Sequence, residues 1–445
     1  MKHHHVYRTE LSPVSFLQRN AYVFPDKTAV IHGSRRYSYR QFEERVHRLA
    51  SALRAAGLKK HDRVAFICPN TPAMLEAHYG VPLAGGILVA VNIRLSSDEI
   101  GYILKHSGST FLFVDHEFEP TVKPLDLGGL TVVRVDDTGA PGDPYEDFLA
   151  TGSAKAVESV LEDEEETIAI NYTSGTTGRP KGVMYSHRGA WVNAMGEVVE
   201  TGMNFETKYL WTLPDVPLQR LVLHVGGDGG GGNARVSPSR GIRAGVGPPR
   251  VGGHHPLLRR AHRADRRGER SRGAPRLDRQ VTVTVAGAPP SPTLLGKLKE
   301  LNFRPVHVYG LTETYGPHTV CAWHTEWDSL PGDEQARSPR GRGRATPLFD
   351  LVRVVDAEMN DVPRDGETLG EVVMVRQQRA PRATSSSRRR RPRPSAAAGS
   401  TPATSGCGTP TATSSCATGR RTSSSRAART SPPSRSSSAW PSTRR

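Results

Sequence analysis

The sequence predicts an α/β protein in which a mixed or parallel sheet is covered by helices. Short apolar strands alternate with helices over residues 38–114, and the helices carry recognisable start signals. This alternation is typical of a parallel sheet with helices on both faces. At 445 residues, the chain is long enough for two or three domains.

The first helices are predicted from their capping residues. One spans residues 38–57, where Ser38 and Gln41 form a capping box. In the next, Thr71 is the N-cap and Pro72 occupies the first helical position. The strands are predicted at Val64–Cys68, Ile87–Val91, Phe111–Val114, Ile168–Tyr172, Gly182–Tyr185, Tyr209–Leu213 and Val306–Tyr309, and further helices at Ser96–His106, Ser186–Val199 and Pro292–Leu301.

A loop of small residues lies between the predicted strands Ile168–Tyr172 and Gly182–Tyr185. Gly175 and Gly178 let its backbone turn tightly and approach a ligand closely. Its hydroxyl groups stand beside backbone N–H groups that can surround an anion, and Lys181 adds a positive charge suited to nucleotide phosphates. The loop is not a Walker P-loop, because a strand rather than a helix follows the lysine. A surface hairpin rich in Gly and Thr is the alternative interpretation.

A second candidate stretch, Tyr309–Glu313, follows another predicted strand. Tyr309 offers an aromatic face for a base, and Thr312 a hydroxyl for a phosphate. Glu313 offers a carboxylate for Mg²⁺, which proteins bind through one or two carboxylates together with substrate phosphates. Taken alone, Tyr309 would be interpreted as a core aromatic at a strand end rather than as a ligand contact.

The whole string from Tyr172 to His187 resembles the phosphate-binding loop of the adenylate-forming superfamily, which includes acyl-CoA synthetases, luciferases and peptide-synthetase adenylation domains. Gly287–Pro289 and Tyr309–Glu313 follow in the order that the superfamily shows. The resemblance covers residues 9–214 and 277–374 and implies the large N-terminal domain of this superfamily over residues 9–374. The opening Pro25–Val30 looks most like medium- and long-chain fatty acyl-CoA synthetases.

The resemblance also implies roles for individual residues. Ala288 and Tyr309 would sandwich adenine, Thr312 would contact the α-phosphate, and the loop up to Lys181 would handle the β- and γ-phosphates. The nucleotide-binding residues implied are Thr173, Ser174, Gly175, Thr176, Thr177, Gly178, Lys181, Gly287, Ala288, Tyr309, Gly310 and Thr312. Thr312, Glu313 and Lys181 are the implied catalytic residues, and Glu313 is the implied Mg²⁺ ligand.

The implied reaction has two steps and uses ATP, Mg²⁺ and coenzyme A. The carboxylate of a fatty or other acid attacks the α-phosphorus of ATP, giving an acyl-adenylate and pyrophosphate. The thiol of coenzyme A then displaces AMP to form the thioester. The protein mainly positions the reactants and neutralises phosphate charge. The expected partners are therefore small molecules. The composition, described next, argues against nucleic acid as a partner.

The net charge of +16 is concentrated in two segments. Residues 378–445 contain fourteen Arg and no Asp, Glu or Lys, and residues 215–276 contain thirteen Arg and four acidic residues. The alternative hypothesis is a different class of protein, one that binds nucleic acid through these basic segments. Such proteins usually interleave aromatic residues with their basic ones. The tail has only Trp440. No apolar run reaches membrane-spanning length and no secretion signal is recognisable, so a cytoplasmic protein is expected.

Both basic segments are interpreted as out-of-frame translation. Leu213–Leu221 stands where the superfamily usually has an apolar stretch, and inserting one base into codons for that stretch produces the residues found here. The predicted domain is therefore interrupted at 215–276, and residues 375–445 are predicted to be a disordered tail in place of the small C-terminal domain. The alternative is a genuine basic insert and tail.

The out-of-frame interpretation bears on activity. The histidine-bearing pocket segment of the superfamily would fall within 215–276, and the ribose-binding aspartate, the hinge arginine and the C-terminal lysine would follow residue 374. None of these is recognisable. We therefore expect acyl-CoA synthetase activity that is impaired or lost in this chain, or alternatively an ATP-binding remnant without turnover.

Overall fold

The computed structural model describes residues 9–173, 179–211, 233–236, 277, 280–286, 292–321, 325–330, 343–345, 352–365, 368–374 and 382–383. The predicted aberrant segment 215–276 is described only at 233–236, and the predicted tail only at 382–383. The predictions of an out-of-frame segment and of a disordered tail otherwise lie outside the described residues.

The described part of the chain alternates between helices and strands. The helices are α1 (Val14–Val23), α2 (Tyr39–Ala55), α3 (Pro72–Ala84), α4 (Ser97–Ser107), α5 (Glu119–Val122), α6 (Pro144–Ala150), α7 (His187–Thr201) and α8 (Pro292–Glu300). The strands are β1 (Thr28–His32), β2 (Arg35–Ser38), β3 (Arg63–Ile67), β4 (Ile87–Ala90), β5 (Ser109–Asp115), β6 (Thr131–Val135), β7 (Thr167–Thr173), β8 (Lys181–Ser186), β9 (Lys208–Trp211), β10 (Asn233–Val236), β11 (Val281–Val285), β12 (Phe303–Leu311), β13 (Gly316–Cys321), β14 (Gly343–Ala345), β15 (Val352–Val355), β16 (Glu371–Met374) and β17 (Arg382–Ala383).

The largest sheet has seven strands in the order β17-β8-β7-β4-β3-β5-β6. Strands β7, β4, β3, β5 and β6 run parallel, whereas β8 is antiparallel to β7 and β17 is antiparallel to β8. Side chains of β3 alternate between two apolar clusters: Val64 and Phe66 belong to one, and Ala65 and Ile67 to the other. The sheet is therefore buried on both faces, which confirms the predicted α/β class.

The predicted helix caps are present. The Ser38 hydroxyl accepts a hydrogen bond from the Gln41 N–H at 3.3 Å, and the Gln41 side chain accepts one from the Ser38 N–H at 2.9 Å. A second capping box joins Ser96 and Glu99 at the start of α4. Each box satisfies backbone N–H groups that the first helical turn leaves unpaired, so these helices begin where the sequence predicts.

Three smaller sheets have the orders β2-β1-β10-β9, β11-β12-β13-β14 and β15-β16. In the first, β10 lies between β1 and β9 and runs parallel to both. The sequence predicted no strand within 215–276, so the placement of β10 corrects that expectation. Residues 233–236 read Asn-Ala-Arg-Val, which has no clear alternation, and their pairing uses backbone groups that every residue carries.

Two members of the acidic run Glu162–Glu166 have structural partners. Glu164 is buried and accepts hydrogen bonds from the Leu11 N–H and from Arg188. Lys60 and His61 both contact Glu166 and, despite its partial burial, hold the pKa of its carboxyl at about 2. These acids are structural ion-pair partners. Within the described ranges, no helix has the length and apolarity needed to cross a membrane.

Candidate functional site

The predicted phosphate-binding loop joins β7 to β8 as an antiparallel hairpin. Thr173 at the end of β7 lies opposite Lys181 at the start of β8, and Tyr172 lies opposite Gly182. Thr173 is half-buried and Lys181 is exposed, so the lysine side chain is accessible to a ligand. The loop residues Ser174, Gly175, Thr176, Thr177 and Gly178 lie outside the described residues.

The second predicted stretch forms a tight reversal between β12 and β13. Gly310 is required there, because a Cβ atom at this position would lie 1.8 Å from the Gly316 carbonyl oxygen. Thr314 closes the turn: its hydroxyl accepts a hydrogen bond from the Leu311 N–H at 2.9 Å. Tyr315 adopts a left-handed backbone conformation with φ of 61°, which reverses the chain into β13. Thr312 and Glu313 are thereby held at the tip of a rigid turn.

Two tyrosines join this turn to the strand that carries Lys181. The Tyr185 hydroxyl donates a hydrogen bond to the Thr312 carbonyl at 2.7 Å. The rings of Tyr185 and Tyr315 stack with centroids 4.2 Å apart, and the Tyr315 hydroxyl accepts a hydrogen bond from the Ser186 N–H at 2.8 Å. Gly189 leaves room for the Tyr315 ring, which a Cβ atom would approach to 2.4 Å.

Glu313 interacts electrostatically with Lys181 and with Tyr309. Partial burial raises the pKa of the Glu313 carboxyl, and the positive charge of Lys181 acts in the opposite direction. Burial, aided by the charge of Glu313, raises the pKa of Tyr309 to about 12. Lys181, Glu313 and Tyr309 thus influence one another electrostatically. A nearby cation would stabilise the ionised form of the partly buried Glu313 carboxylate.

Tyr309 also has a packing role. It is half-buried and contacts the cluster of Val372 and Met374 on β16, together with Leu311 and Val352. The core-aromatic alternative for Tyr309 therefore describes part of its environment. The other residue predicted to contact adenine, Ala288, lies outside the described residues, as does Gly287.

A ring cluster that sequence reasoning did not assign to the site flanks the hairpin. His106 Nδ1 lies 2.8 Å from the Tyr172 hydroxyl, and the His106 ring stacks on Tyr102 one helical turn earlier. The Arg179 guanidinium lies over the Tyr102 ring, 5.5 Å from its centroid. Tyr102 and His106 are four residues apart on α4, and this spacing is the sequence signal that could have found the pair.

Buried polar side chains on α7 form a second feature that the sequence reasoning missed. Asn193 is 1 % exposed, and neither its amide oxygen nor its amide nitrogen has a hydrogen-bond partner in the described structure. One turn later, burial and the nearby Glu200 raise the pKa of Glu197 to about 8. Polar residues four apart on an otherwise apolar helix face are a signal for such a stripe.

The residues present fit a bound Mg²⁺ ion. Glu313 supplies one carboxylate. It is partly buried, and the positive charge of Lys181 favours its ionised form. One carboxylate together with nucleotide phosphate oxygens is a usual coordination for Mg²⁺. Such an ion would neutralise phosphate charge beside Thr312.

Comparison with known proteins identifies the class. The sequence model of the AMP-binding enzyme family matches residues 17–216 and 252–381, which is most of the chain, and the chain belongs to this family. The unmatched gap, 217–251, lies inside the predicted aberrant segment. The second matched range, however, includes residues 252–276 of that segment and extends past residue 374.

The similar proteins are acid–CoA ligases. The chain is 36 % identical over 390 residues to 4-hydroxybutyrate–CoA ligase 2 of Metallosphaera sedula, and 38 % identical over 394 residues to the peroxisomal acetate/butyrate–CoA ligase of Arabidopsis thaliana. Each alignment covers 82 % of this chain and 68 % of the relative. The fold matches the N-terminal domain of FACL13 from Mycobacterium tuberculosis with a TM-score of 0.67 at 21 % identity, covering 84 % of this chain and 91 % of that domain.

Proposed function

We propose that this chain derives from, and retains the nucleotide site of, an AMP-forming ligase that joins a carboxylic acid to coenzyme A. The single observation that supports the proposal is the junction of two distant segments: the Tyr185 hydroxyl donates a hydrogen bond to the Thr312 carbonyl, next to Glu313, whose carboxyl pKa is raised by burial and lowered in turn by the charge of Lys181. A cation and a metal-binding carboxylate held on neighbouring rigid strands suit a triphosphate.

Each residue has a proposed role. Lys181 and Thr173 contact the β- and γ-phosphates, and Thr312 contacts the α-phosphate. Glu313 binds Mg²⁺, whose contribution when bound is to neutralise phosphate charge. Tyr309 stacks on the adenine ring. The acid's carboxylate oxygen forms a bond to the α-phosphorus as the bond to pyrophosphate breaks, and the thiol of coenzyme A then displaces AMP.

The acid we propose is a short aliphatic carboxylate. The sequence analysis pointed to medium- and long-chain fatty acids, and several proteins of similar fold are named as long-chain fatty-acid CoA ligases or as a fatty acyl-CoA synthetase. The sequence relatives of higher identity are instead described by acetate, butyrate and 4-hydroxybutyrate. Sequence identity above 30 % supports an inference about substrate class better than fold likeness does. We therefore place butyrate ahead of long-chain acids.

The test is release of AMP from ATP by the full chain with coenzyme A and a panel of acids from acetate to palmitate. We expect any turnover to be highest with acids of two to four carbons and to fall at least about a hundredfold in Lys181→Ala, because the lysine neutralises charge that develops on the phosphates. Lys155→Ala, which removes an exposed lysine elsewhere, is the matched control. Equal turnover by the Lys181→Ala and Lys155→Ala variants would refute the site assignment.

We propose as a second candidate that this chain binds ATP without completing the reaction. The supporting observation is that residues 378–445 contain no Leu, Ile, Val, Phe, Met or Tyr, so they cannot form an apolar core of their own. The superfamily lysine expected after residue 374 is not recognisable there. Binding would then persist while AMP release is slow or absent.

A paired experiment separates the two candidates. The coding DNA across 215–276 and 375–445 is read in all three frames, and a version with both frames restored is assayed beside this chain. Restored turnover only in the repaired version supports the remnant. Comparable turnover by both versions contradicts the out-of-frame interpretation and favours a working ligase.

A further inference from the structure

A cavity of about 570 Å³ lies at the opposite end of the main sheet from the proposed nucleotide site. Its walls come from the end of α2, the end of α3 and the segment that leads into β7, and it opens to solvent. Its lining residues are Arg54, Leu58, Lys60, Ala84, Ser159, Val160, Leu161 and Glu162. We call it the Arg54 pocket.

The pocket is separate from the nucleotide site. Lys60, Ala84 and Glu162 precede the amino ends of β3, β4 and β7, whereas the predicted phosphate loop follows the carboxyl end of β7. The seven residues of β7 span about 20 Å. A ligand in the pocket would therefore not touch the phosphate loop.

Arg54 is the residue that makes the pocket selective. Its Nε donates to the Ala84 carbonyl at 3.1 Å, and its Nη2 donates to the Leu83 and Glu158 carbonyls at 2.9 Å. Two of these carbonyls belong to the last turn of α3, so part of the arginine's role is to cap that helix. In the described structure no carboxylate pairs with Arg54, and its Nη1 makes no hydrogen bond.

The charge of Arg54 is thus incompletely compensated. Burial lowers its pKa, which means that partial removal from water penalises the guanidinium. An anion at Nη1 would relieve that penalty. Lys60 adds a second positive charge to the lining, although Glu162 and Glu166 each contact its Nζ at 3.0 Å. The Glu162 side chain is 85 % exposed and points toward solvent at the rim.

The remaining walls are apolar. Leu58, Ala84, Val160 and Leu161 supply aliphatic surface beside the Arg54 guanidinium. A ligand that matches both features carries one carboxylate on a short aliphatic chain. An inorganic anion would use only the charged half of the lining, and an uncharged chain only the apolar half.

We propose that the Arg54 pocket is a second binding site, which takes a short aliphatic carboxylate with its carboxylate on Arg54 Nη1 and its chain against Val160 and Leu161. The site does not depend on the proposed ligase activity, because none of its residues belongs to the nucleotide site. Its occupant is of the same chemical class as the acid proposed as substrate. The occupancy of the pocket would therefore rise with the concentration of free acid.

The test titrates butyrate into the full chain and follows the methyl resonances of Leu161 by NMR. We expect a saturable shift that the uncharged isostere n-butanol does not reproduce. Arg54→Gln should weaken binding by at least about tenfold, the usual effect of losing a hydrogen bond to a charged group. Lys181→Ala should leave the Leu161 shift unchanged, which separates this site from the nucleotide site.

Because Arg54 also caps α3, a pair of variants on the opposite wall gives an independent test. Val160→Glu places a negative charge in the pocket and should abolish butyrate binding, whereas Val160→Lys should retain or strengthen it. Equal binding by the two Val160 variants, equal shifts with n-butanol, or loss of the Leu161 shift in Lys181→Ala would each overturn the proposal.

Discussion

The hydroxyl of Tyr185 donates a 2.7 Å hydrogen bond to the carbonyl of Thr312, across 127 residues of sequence. Tyr185 is fully buried, and its ring also stacks on Tyr315. This contact sets the position of the Thr312–Glu313 turn against the strand that begins at Lys181. The geometry of the candidate site therefore depends on a tyrosine that belongs to neither predicted motif.

Tyr185→Phe should lower the free energy of unfolding by about 1 kcal/mol, because it leaves the partly buried Thr312 carbonyl without its donor while preserving ring packing. It should also weaken ATP binding, since the turn is less firmly placed. Chemical denaturation and calorimetry measure the two effects. Tyr22→Phe, at a side chain that is 88 % exposed, is the matched control. Equal stability of the two variants would argue against the Tyr185 contact.

Gly310→Ala should disrupt the turn between β12 and β13. The added methyl would lie 1.8 Å from a backbone oxygen, which cannot move aside as a flexible side chain can. We expect a loss of at least about 3 kcal/mol in the free energy of unfolding. Gly296→Ala on α8, where a Cβ atom meets nothing within 4 Å, should be neutral or stabilising by up to about 1 kcal/mol. Thermal unfolding of both variants checks the contrast.

The contribution of Glu197 to the free energy of unfolding should fall as the pH rises. The relevant range is the one in which Glu197 is protonated in the folded state and ionised in the unfolded state. The ordinary pKa of this carboxyl is 4.5, and burial raises it to about 8. Between these values the folded state binds more protons than the unfolded state, so the free energy of unfolding decreases with increasing pH. Glu197→Gln should remove this decrease and stabilise the protein at pH 8.

Urea denaturation at several pH values between 5 and 9 measures the Glu197 effect. Glu206→Gln, at an exposed position, is the control and should keep the slope of the wild type. Parallel stability–pH profiles for the wild type and Glu197→Gln would contradict the raised pKa of Glu197.

Glu313→Gln and Lys181→Ala should weaken ATP binding in different ways. Lys181→Ala removes a charge and should reduce affinity with or without Mg²⁺. Glu313→Gln should abolish only the increase in affinity that Mg²⁺ provides, because an amide is a poor ligand for that ion. Calorimetric titrations of ATP with Mg²⁺ and with EDTA distinguish the two patterns. An unchanged Mg²⁺ dependence in Glu313→Gln would remove Glu313 from the metal site.

Trypsin should cut quickly at the arginines that follow β17, in residues 384–445. This segment contains twelve Arg residues, and it lacks the large aliphatic side chains that a folded core requires. Mass spectrometry of a timed digest gives the cleavage order. A resistant fragment that retains Trp440 would show that the tail is folded.

Five strands of the main sheet and helices α2, α3, α4 and α7 followed from the sequence, because capping boxes and apolar alternation are local signals. Strands β6 and β17 and helices α1, α5 and α6 were not predicted. The prediction placed a strand at Val64–Cys68, and β3 spans Arg63–Ile67. Strand β10 was missed because Asn233–Val236 carries no pattern and is held by its neighbours β1 and β9. Long-range backbone pairing of this kind has no local signature.

The sequence predicts which residues belong to the candidate site. It does not predict how these residues are positioned relative to one another. Sequence spacing alone does not predict that Lys181 and Glu313 interact electrostatically, because a buried tyrosine and a stacked ring pair join the segments that carry them. The Arg54 pocket was also beyond sequence reasoning. Arg54 sits in the last turn of α2, where an arginine is expected for solvation and for the helix dipole.

Strand β17 has a consequence for how the protein is made. Arg382 and Ala383 pair with Met184 and Val183, covering the outer side of the strand that begins at Lys181. During synthesis, that outer side stays unpaired until residues 382–383 have left the ribosome. A nascent chain thus carries an open strand edge through nearly half of its elongation, and open edges recruit other strands. Shielding of this edge by a chaperone during that interval should raise the yield of folded protein.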